Sequence, residues 1–354
     1  MRRLTLLFVI IAAAAALIAC GKSGDETGTT PTAAEVTPTP AADTATPSPT
    51  EVPATDTPTP TPEPEDPTPT PTMGPHAKID TGIPIEYSTY RMKNCGTIEK
   101  ITYETKDYLN DQAAITKPAY VYLPPNYDET KQYNVLYLMH GIGGDETEWG
   151  MTGMTSTVKA IMDNLIRYGD IEPFIVVAPN GRSYYDFANK NGDYASFYVF
   201  GQELRNDLLP WIDAHYATYG SDTPGDLKAS RDHRFMAGLS MGGMQTINIG
   251  LCECPDLFSA FGAFSAAPTT YTADEINARL KQFPDEEIRY FYSLCGLQDN
   301  LYFAGSGAAK ELPAHCGRFT EENWHWQERA GGHDFNIWNV GLFNFLRLRT
   351  AIQE

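Results

Sequence analysis

From about residue 119 onward, short apolar runs alternate with longer stretches at helical spacing. Ala119–Leu123 (AYVYL) and Val135–Met139 (VLYLM) are rich in β-branched and aromatic residues, which predicts strands. Thr155–Tyr168 repeats its apolar residues at helical period. Phe174–Ala178 is a further strand, stopped by Pro179-Asn180-Gly181. Phe200–Tyr216 predicts a helix, Arg234–Ala237 a strand ending in a glycine turn, and the residues from Met241 a helix. The alternation continues as a strand near 258–265, a helix near 273–283, a strand at 289–294, a helix near 308–316, a strand at 324–329 and a last helix from about Phe335. Strands and helices taking turns along a chain predict an α/β fold, a mostly parallel central sheet with helices on both faces. There is no internal repeat and no second linker, so residues 76–354 are expected to form one domain.

The N-terminal part breaks this pattern twice. Residues 1–20 carry Arg2 and Arg3 ahead of an apolar run, Leu4–Ile18, which is short for a membrane span. The run ends Leu17-Ile18-Ala19-Cys20 and turns polar at Gly21-Lys22-Ser23. This ending resembles a bacterial lipobox, a signal in which the cysteine is lipid-modified and becomes the mature N-terminus. Cys20 is therefore the expected lipidation site, and the expected location is the cell surface, with the chain anchored to a bacterial membrane. Residues 21–75 are a Thr/Pro-rich stretch without aromatic residues. Such a stretch has nothing to bury, which predicts a disordered tether reaching on the order of 150 Å.

Charge narrows the partners. The chain has 354 residues and a net charge of -19, so nucleic acid, whose phosphates it would repel, is excluded as a partner. Five cysteines remain after Cys20, an odd number that leaves at least one without a partner in the chain. No CxxC pair or histidine cluster is present, so no metal and no cofactor are expected.

The chemistry concentrates in a few loops. Gly238-Leu239-Ser240-Met241-Gly242-Gly243 follows a short strand and opens a helix, the context of a nucleophile elbow in an α/β-hydrolase fold. The glycines flank Ser240 because side chains there would collide with neighbouring backbone. In this fold the acid and then the histidine follow the nucleophile. Of the later histidines, His315 falls in a helical stretch and His325 inside a strand, whereas His333 falls in the loop Ala330-Gly331-Gly332-His333 after the last strand. Asp299, in the loop after the preceding strand, is the expected acid, and Asp334 suits the N-cap of the last helix. An oxyanion hole needs two N–H donors. Met241 supplies one. The loop His140-Gly141-Ile142-Gly143-Gly144 supplies the other, from Ile142 or alternatively Gly141, with His140 supporting the loop. Trp149, Tyr184, Tyr185 and Trp338 are the aromatic candidates for lining a substrate cleft.

HGIGG, GLSMGG, CGLQDN and GGHDFNIW, in this order and spacing, resemble carbohydrate esterase family one, the feruloyl and acetylxylan esterases that include modules of clostridial xylanases. The resemblance runs from about Cys95 to Leu346. It implies a metal-independent Ser240–Asp299–His333 triad and an ester-decorated polysaccharide or oligosaccharide as substrate. It does not cover the stretch Arg182-Ser183-Tyr184-Tyr185-Asp186, which matches no motif of that family.

Overall fold

The structure is a computed structural model that describes residues 79–300 and 307–352; the expected signal segment with Cys20 and the expected tether lie outside the described residues. Eight strands make one sheet: β1 (Thr97–Lys106), β2 (Ala114–Leu123), β3 (Asn134–Met139), β4 (Phe174–Pro179), β5 (Arg234–Leu239), β6 (Ala260–Phe264), β7 (Tyr290–Gly296) and β8 (Trp324–Arg329). Their order across the sheet is β1-β2-β4-β3-β5-β6-β7-β8. β1, β2 and β4 pair antiparallel, and every pair from β4 through β8 is parallel.

Alternate residues of the central strands enter different cores, because successive side chains of a strand point to opposite faces. On β3, Val135, Tyr137 and Met139 join one core, which the helices Leu209–His215 and Ala273–Leu280 cover. Leu136 and Leu138 join the other, under the helices Thr157–Tyr168 and Phe335–Ile352. Every residue of β3, β4 and β5 is buried, as expected of parallel strands covered on both sides.

Two departures from the sequence pattern have physical causes. β1 was not legible, because seven of its ten residues, TIEKITYETK, are charged or threonine and most are exposed. It is held by ten residue pairs with β2 and by little apolar burial. The helix expected over 200–216 is divided into Phe200–Glu203, a π-helical stretch Leu204–Leu208, and Leu209–His215 with Pro210 in its first turn. The helical backbone runs on through all three stretches, and the π-helical one, in which Leu209 N–H donates to the Leu204 carbonyl, takes up the hydrogen bond that Pro210 cannot make.

Candidate active site

The parallel strands end level with one another. Met139 pairs with Gly238, Leu239 with Phe264, Phe264 with Leu294, and Leu294 with Gln327. The loops that follow β3, β5, β7 and β8 therefore emerge along one edge, and they carry His140, Ser240, Asp299 and His333.

Ser240 sits between β5 and the helix Met241–Gln245 at φ 53° and ψ -115°, a conformation costly for a residue with a side chain. Its surroundings hold it there. Its N–H donates to the Phe264 carbonyl at 2.9 Å, and its carbonyl accepts from Met244 and Ala267 at 3.0 Å each. A Cβ on Gly238 would stand 2.5 Å from the Gly242 backbone, and one on Gly242 would stand 2.5 Å from the Met139 carbonyl. Both positions admit only glycine. Met241 N–H, at the first helical position, has no intrahelical acceptor.

The acid and histidine loops are laced together. Leu297 N–H donates to the Arg329 carbonyl at 2.8 Å and Gln298 N–H to the Gly331 carbonyl at 2.9 Å, while Gly331 N–H returns a bond to Gln298 Oε1 at 2.7 Å. A Cβ on Gly296 would lie 2.3 Å from the Gly331 carbonyl, so a glycine is required for this approach. The result is a contact of 2.8 Å between His333 Nδ1 and Asp299 Oδ2. The Asp299 side chain is fully buried and that of His333 is 31% exposed. The carboxylate can only accept, so Nδ1 carries a proton, and in the neutral ring the lone pair is on Nε2. The two other histidines that follow Ser240 are engaged elsewhere: His315 Nδ1 lies 2.7 Å from Asp274 Oδ1, and His325 packs on the Tyr290 ring. Asp334 caps the last helix by accepting from Asn336 N–H at 2.8 Å.

After β3, the chain turns tightly, with Gly144 N–H donating to the Gly141 carbonyl at 3.2 Å. His140 is fully buried and bonded through both nitrogens. Gly181 N–H donates to Nε2 at 2.9 Å, so Nδ1 is the protonated nitrogen and donates to the Gly141 carbonyl at 2.7 Å. Burial and the nearby Arg182 charge push the His140 pKa down to about 3. Gly141 N–H is committed to Glu148 Oε2 at 2.5 Å. The Gly141 carbonyl is held by two donors, and in a trans peptide the next N–H points the opposite way. Of the two expected donors, Gly141 and Ile142, the N–H of Gly141 is thus already taken. The Ile142 side chain packs in a small cluster with Met241, Met244, Phe197 and Ala267.

Two groups in this neighbourhood carried no recognisable sequence signal. Lys117 and Glu203 form an ion pair of 2.6 Å at zero exposure. Lys117 also donates to the carbonyls of Asn180 at 2.9 Å and Arg182 at 2.8 Å, and Glu203 accepts from Ser183 Oγ at 2.6 Å. Arg182, fully buried, reaches back to the carbonyls of Ile142 and Gly144. The residues after β4 thus brace the residues after β3.

The aromatic candidates divide. Trp149 is only 3% exposed; its Nε1–H donates to the Met139 carbonyl at 3.0 Å and its ring meets Phe264 and Phe335 edge-on. Expected at a cleft, it is instead a brace inside the core, because its indole N–H finds a strand carbonyl there. Trp338 is buried too and stands edge-to-face with His333, ring centroids 5.0 Å apart. Tyr184 is buried against Tyr185, and Tyr185 alone of the four is openly exposed, at 69%.

The family model described as "Putative esterase" matches residues 116–347. The chain belongs to this esterase family. An endo-1,4-beta-xylanase/feruloyl esterase of Xylanibacter ruminicola is 34% identical over 223 residues, covering 61% of this chain and 27% of that protein. Endo-1,4-beta-xylanase Y of Acetivibrio thermocellus is 37% identical over 168 residues, covering 47% of this chain and 14% of that one. The matched part is thus less than a third of either relative's length. Among solved structures, a mutant of the feruloyl esterase module from Clostridium thermocellum complexed with sinapinate superposes with a TM-score of 0.62 at 26% identity, covering 77% of this chain and 96% of that one. A ferulic acid esterase from Anaeromyces mucronatus, in complex with ferulic acid, has the same fold, with a TM-score of 0.61 at 24% identity over 79% of this chain and 100% of that one. The resemblance to carbohydrate esterase family one and the α/β-hydrolase fold are upheld by these matches.

Proposed function

We propose that this esterase-family chain is a serine carboxylic-ester hydrolase that removes feruloyl or acetyl groups from xylan-type polysaccharides, lipid-anchored at Cys20 on the outside of a bacterial cell. The observation that carries the chemistry is the His333–Asp299 contact of 2.8 Å, on loops that leave the same sheet edge as the constrained Ser240 turn. The substrate class is supported by the xylanase and feruloyl esterase relatives, and the location by the Leu17–Cys20 ending and the tether that follows it.

In this reading Ser240 Oγ attacks the ester carbonyl carbon while His333 Nε2 takes its proton. Asp299 holds the ring by Nδ1 and stabilises the imidazolium. The tetrahedral oxyanion accepts from the N–H groups of Ile142 and Met241. Collapse breaks the bond to the sugar oxygen, which takes the proton from Nε2. Water, deprotonated by the same nitrogen, then attacks the acyl-serine; the bond to Ser240 Oγ breaks, Oγ takes the proton back from Nε2, and the acid leaves.

The test is product analysis by mass spectrometry after incubation with arabinoxylan oligosaccharides, beside Ser240→Ala. Release of ferulic acid or acetate by the wild type and its loss in the variant is the expected result. Equal release from both proteins, or none from the wild type on any ester, would discard the reading.

A further inference from the structure

We propose that Arg182 is a positioning residue for the oxyanion loop, a role that rests on the ester-hydrolase reading above. Its guanidinium is fully buried, yet the partners it has among the described residues are carbonyls and an aromatic ring. Nη1 donates to the Gly144 carbonyl at 2.8 Å and Nη2 to the Ile142 carbonyl, with a longer contact to the Lys190 carbonyl at 3.4 Å. The charge lies over the Phe197 ring, 4.7 Å from its centroid. A buried cation is costly and is ordinarily matched by a carboxylate. Here the direct partners are the two carbonyls that flank Gly143 in the turn after β3, and the carboxylates of Asp145 and Glu148 favour the charge from farther off.

The consequence is geometric. Loss of either carbonyl bond would free a peptide of this turn to rotate, and the direction of the Ile142 N–H depends on the peptides around it keeping their place. His140 secures the Gly141 carbonyl from one side, and Arg182 secures the Ile142 and Gly144 carbonyls from the other. The fork of a guanidinium spans two carbonyls at once, which a lysine ammonium does with less order. Arg182 is itself anchored, since its carbonyl accepts from Lys117 and its N–H donates to Asn180 Oδ1 at 3.2 Å. The loop after β4 therefore acts on an oxyanion held by the loop after β3 without touching it.

The experiment is steady-state hydrolysis of methyl ferulate and of a nitrophenyl acetate by the wild type, Arg182→Lys, Arg182→Met, Phe197→Leu and Ser240→Ala, with thermal unfolding of each. A misaligned oxyanion donor is felt in the transition state, so Arg182→Met is expected to lose about a hundredfold in kcat with KM within about twofold. Arg182→Lys should recover part of the loss. Equal kcat in the wild type and both Arg182 variants, or a loss that falls on KM alone, overturns the inference. Should neither Arg182 variant fold, Phe197→Leu decides by the same split, since it takes the ring from beneath the charge and keeps an apolar side chain against His140, Ile142 and Met241: kcat about tenfold down at constant KM upholds the role, and unchanged kcat overturns it. A wild type without activity, or Ser240→Ala at the wild-type rate, sinks the ester-hydrolase reading and this inference together, whereas an active wild type with a dead Ser240→Ala and fully active Arg182 variants sinks this inference alone.

Discussion

Nδ1 of His333 lies 2.8 Å from Oδ2 of Asp299, on loops that follow different strands. The contact fixes the tautomer, because a carboxylate accepts and cannot donate. Asp299→Asn keeps the shape and removes the charge. In the proposed mechanism it should lower kcat by a factor on the order of 10³–10⁴ with little change in KM, as expected when the histidine loses its correct tautomer. Hydrolysis of methyl ferulate across a substrate series measures the split, and a loss below tenfold would contradict the assignment.

The Ser240 turn stores strain that a glycine would relieve. At φ 53° and ψ -115° the backbone is in a region that glycine enters freely. Ser240→Gly is expected to abolish activity and still raise stability by about 1 kcal/mol, the lower end of the cost of such a conformation. Gly242→Ala should act oppositely, since its Cβ would stand 2.5 Å from the Met139 carbonyl and 2.7 Å from that of His140. Urea denaturation of the two variants beside the wild type tests both directions.

His140 links stability to pH. Its folded pKa of about 3 lies below the ordinary value of 6.5, chiefly because burial disfavours the charged ring. Below pH 6.5 the unfolded chain binds a proton that the folded chain refuses until about pH 3, so acid favours unfolding across that window. The contribution is at most about 1.4 kcal/mol per pH unit. Unfolding free energies of the wild type and His140→Asn, measured from pH 7 to pH 4, should show a shallower slope in the variant. Parallel slopes would refute this.

The Lys117–Glu203 pair predicts a coupling. Burial pushes the Lys117 pKa down and the Glu203 pKa up, and the pairing opposes both. Lys117→Met leaves Glu203 charged and enclosed, which should cost about 3–5 kcal/mol. Adding Glu203→Gln should cost less than it does in the wild type, and a double-mutant cycle by chemical denaturation reads the difference. Additive losses would mean the two residues act independently. Lys117→Met should also reduce activity, because Lys117 holds the carbonyls of Asn180 and Arg182.

Much of the site was legible because its chemistry is written locally. The glycines around Ser240 are dictated by backbone crowding within a few residues, and Asp334 declares itself as a cap by its place before a helix. Trp149 shows the limit. An aromatic residue after a glycine loop serves a cleft or a core equally well, and the sequence cannot tell that its N–H meets the Met139 carbonyl. Arg182 lay in a stretch without a motif, and nothing local to it names the carbonyls of Ile142 and Gly144 as its partners.

By itself the chain's pattern determined the alternation of strands and helices, and with it the α/β class, since periodicity reflects which faces must be buried. It also determined the strained serine turn, whose constraints are short in range. The fold alone decided that β1 joins the sheet, that the loop after β4 braces the loop after β3, and which N–H of the Gly141–Ile142 pair is left to offer. Those outcomes depend on hydrogen bonds between segments far apart in sequence, and such bonds leave no periodic trace in the residues that make them.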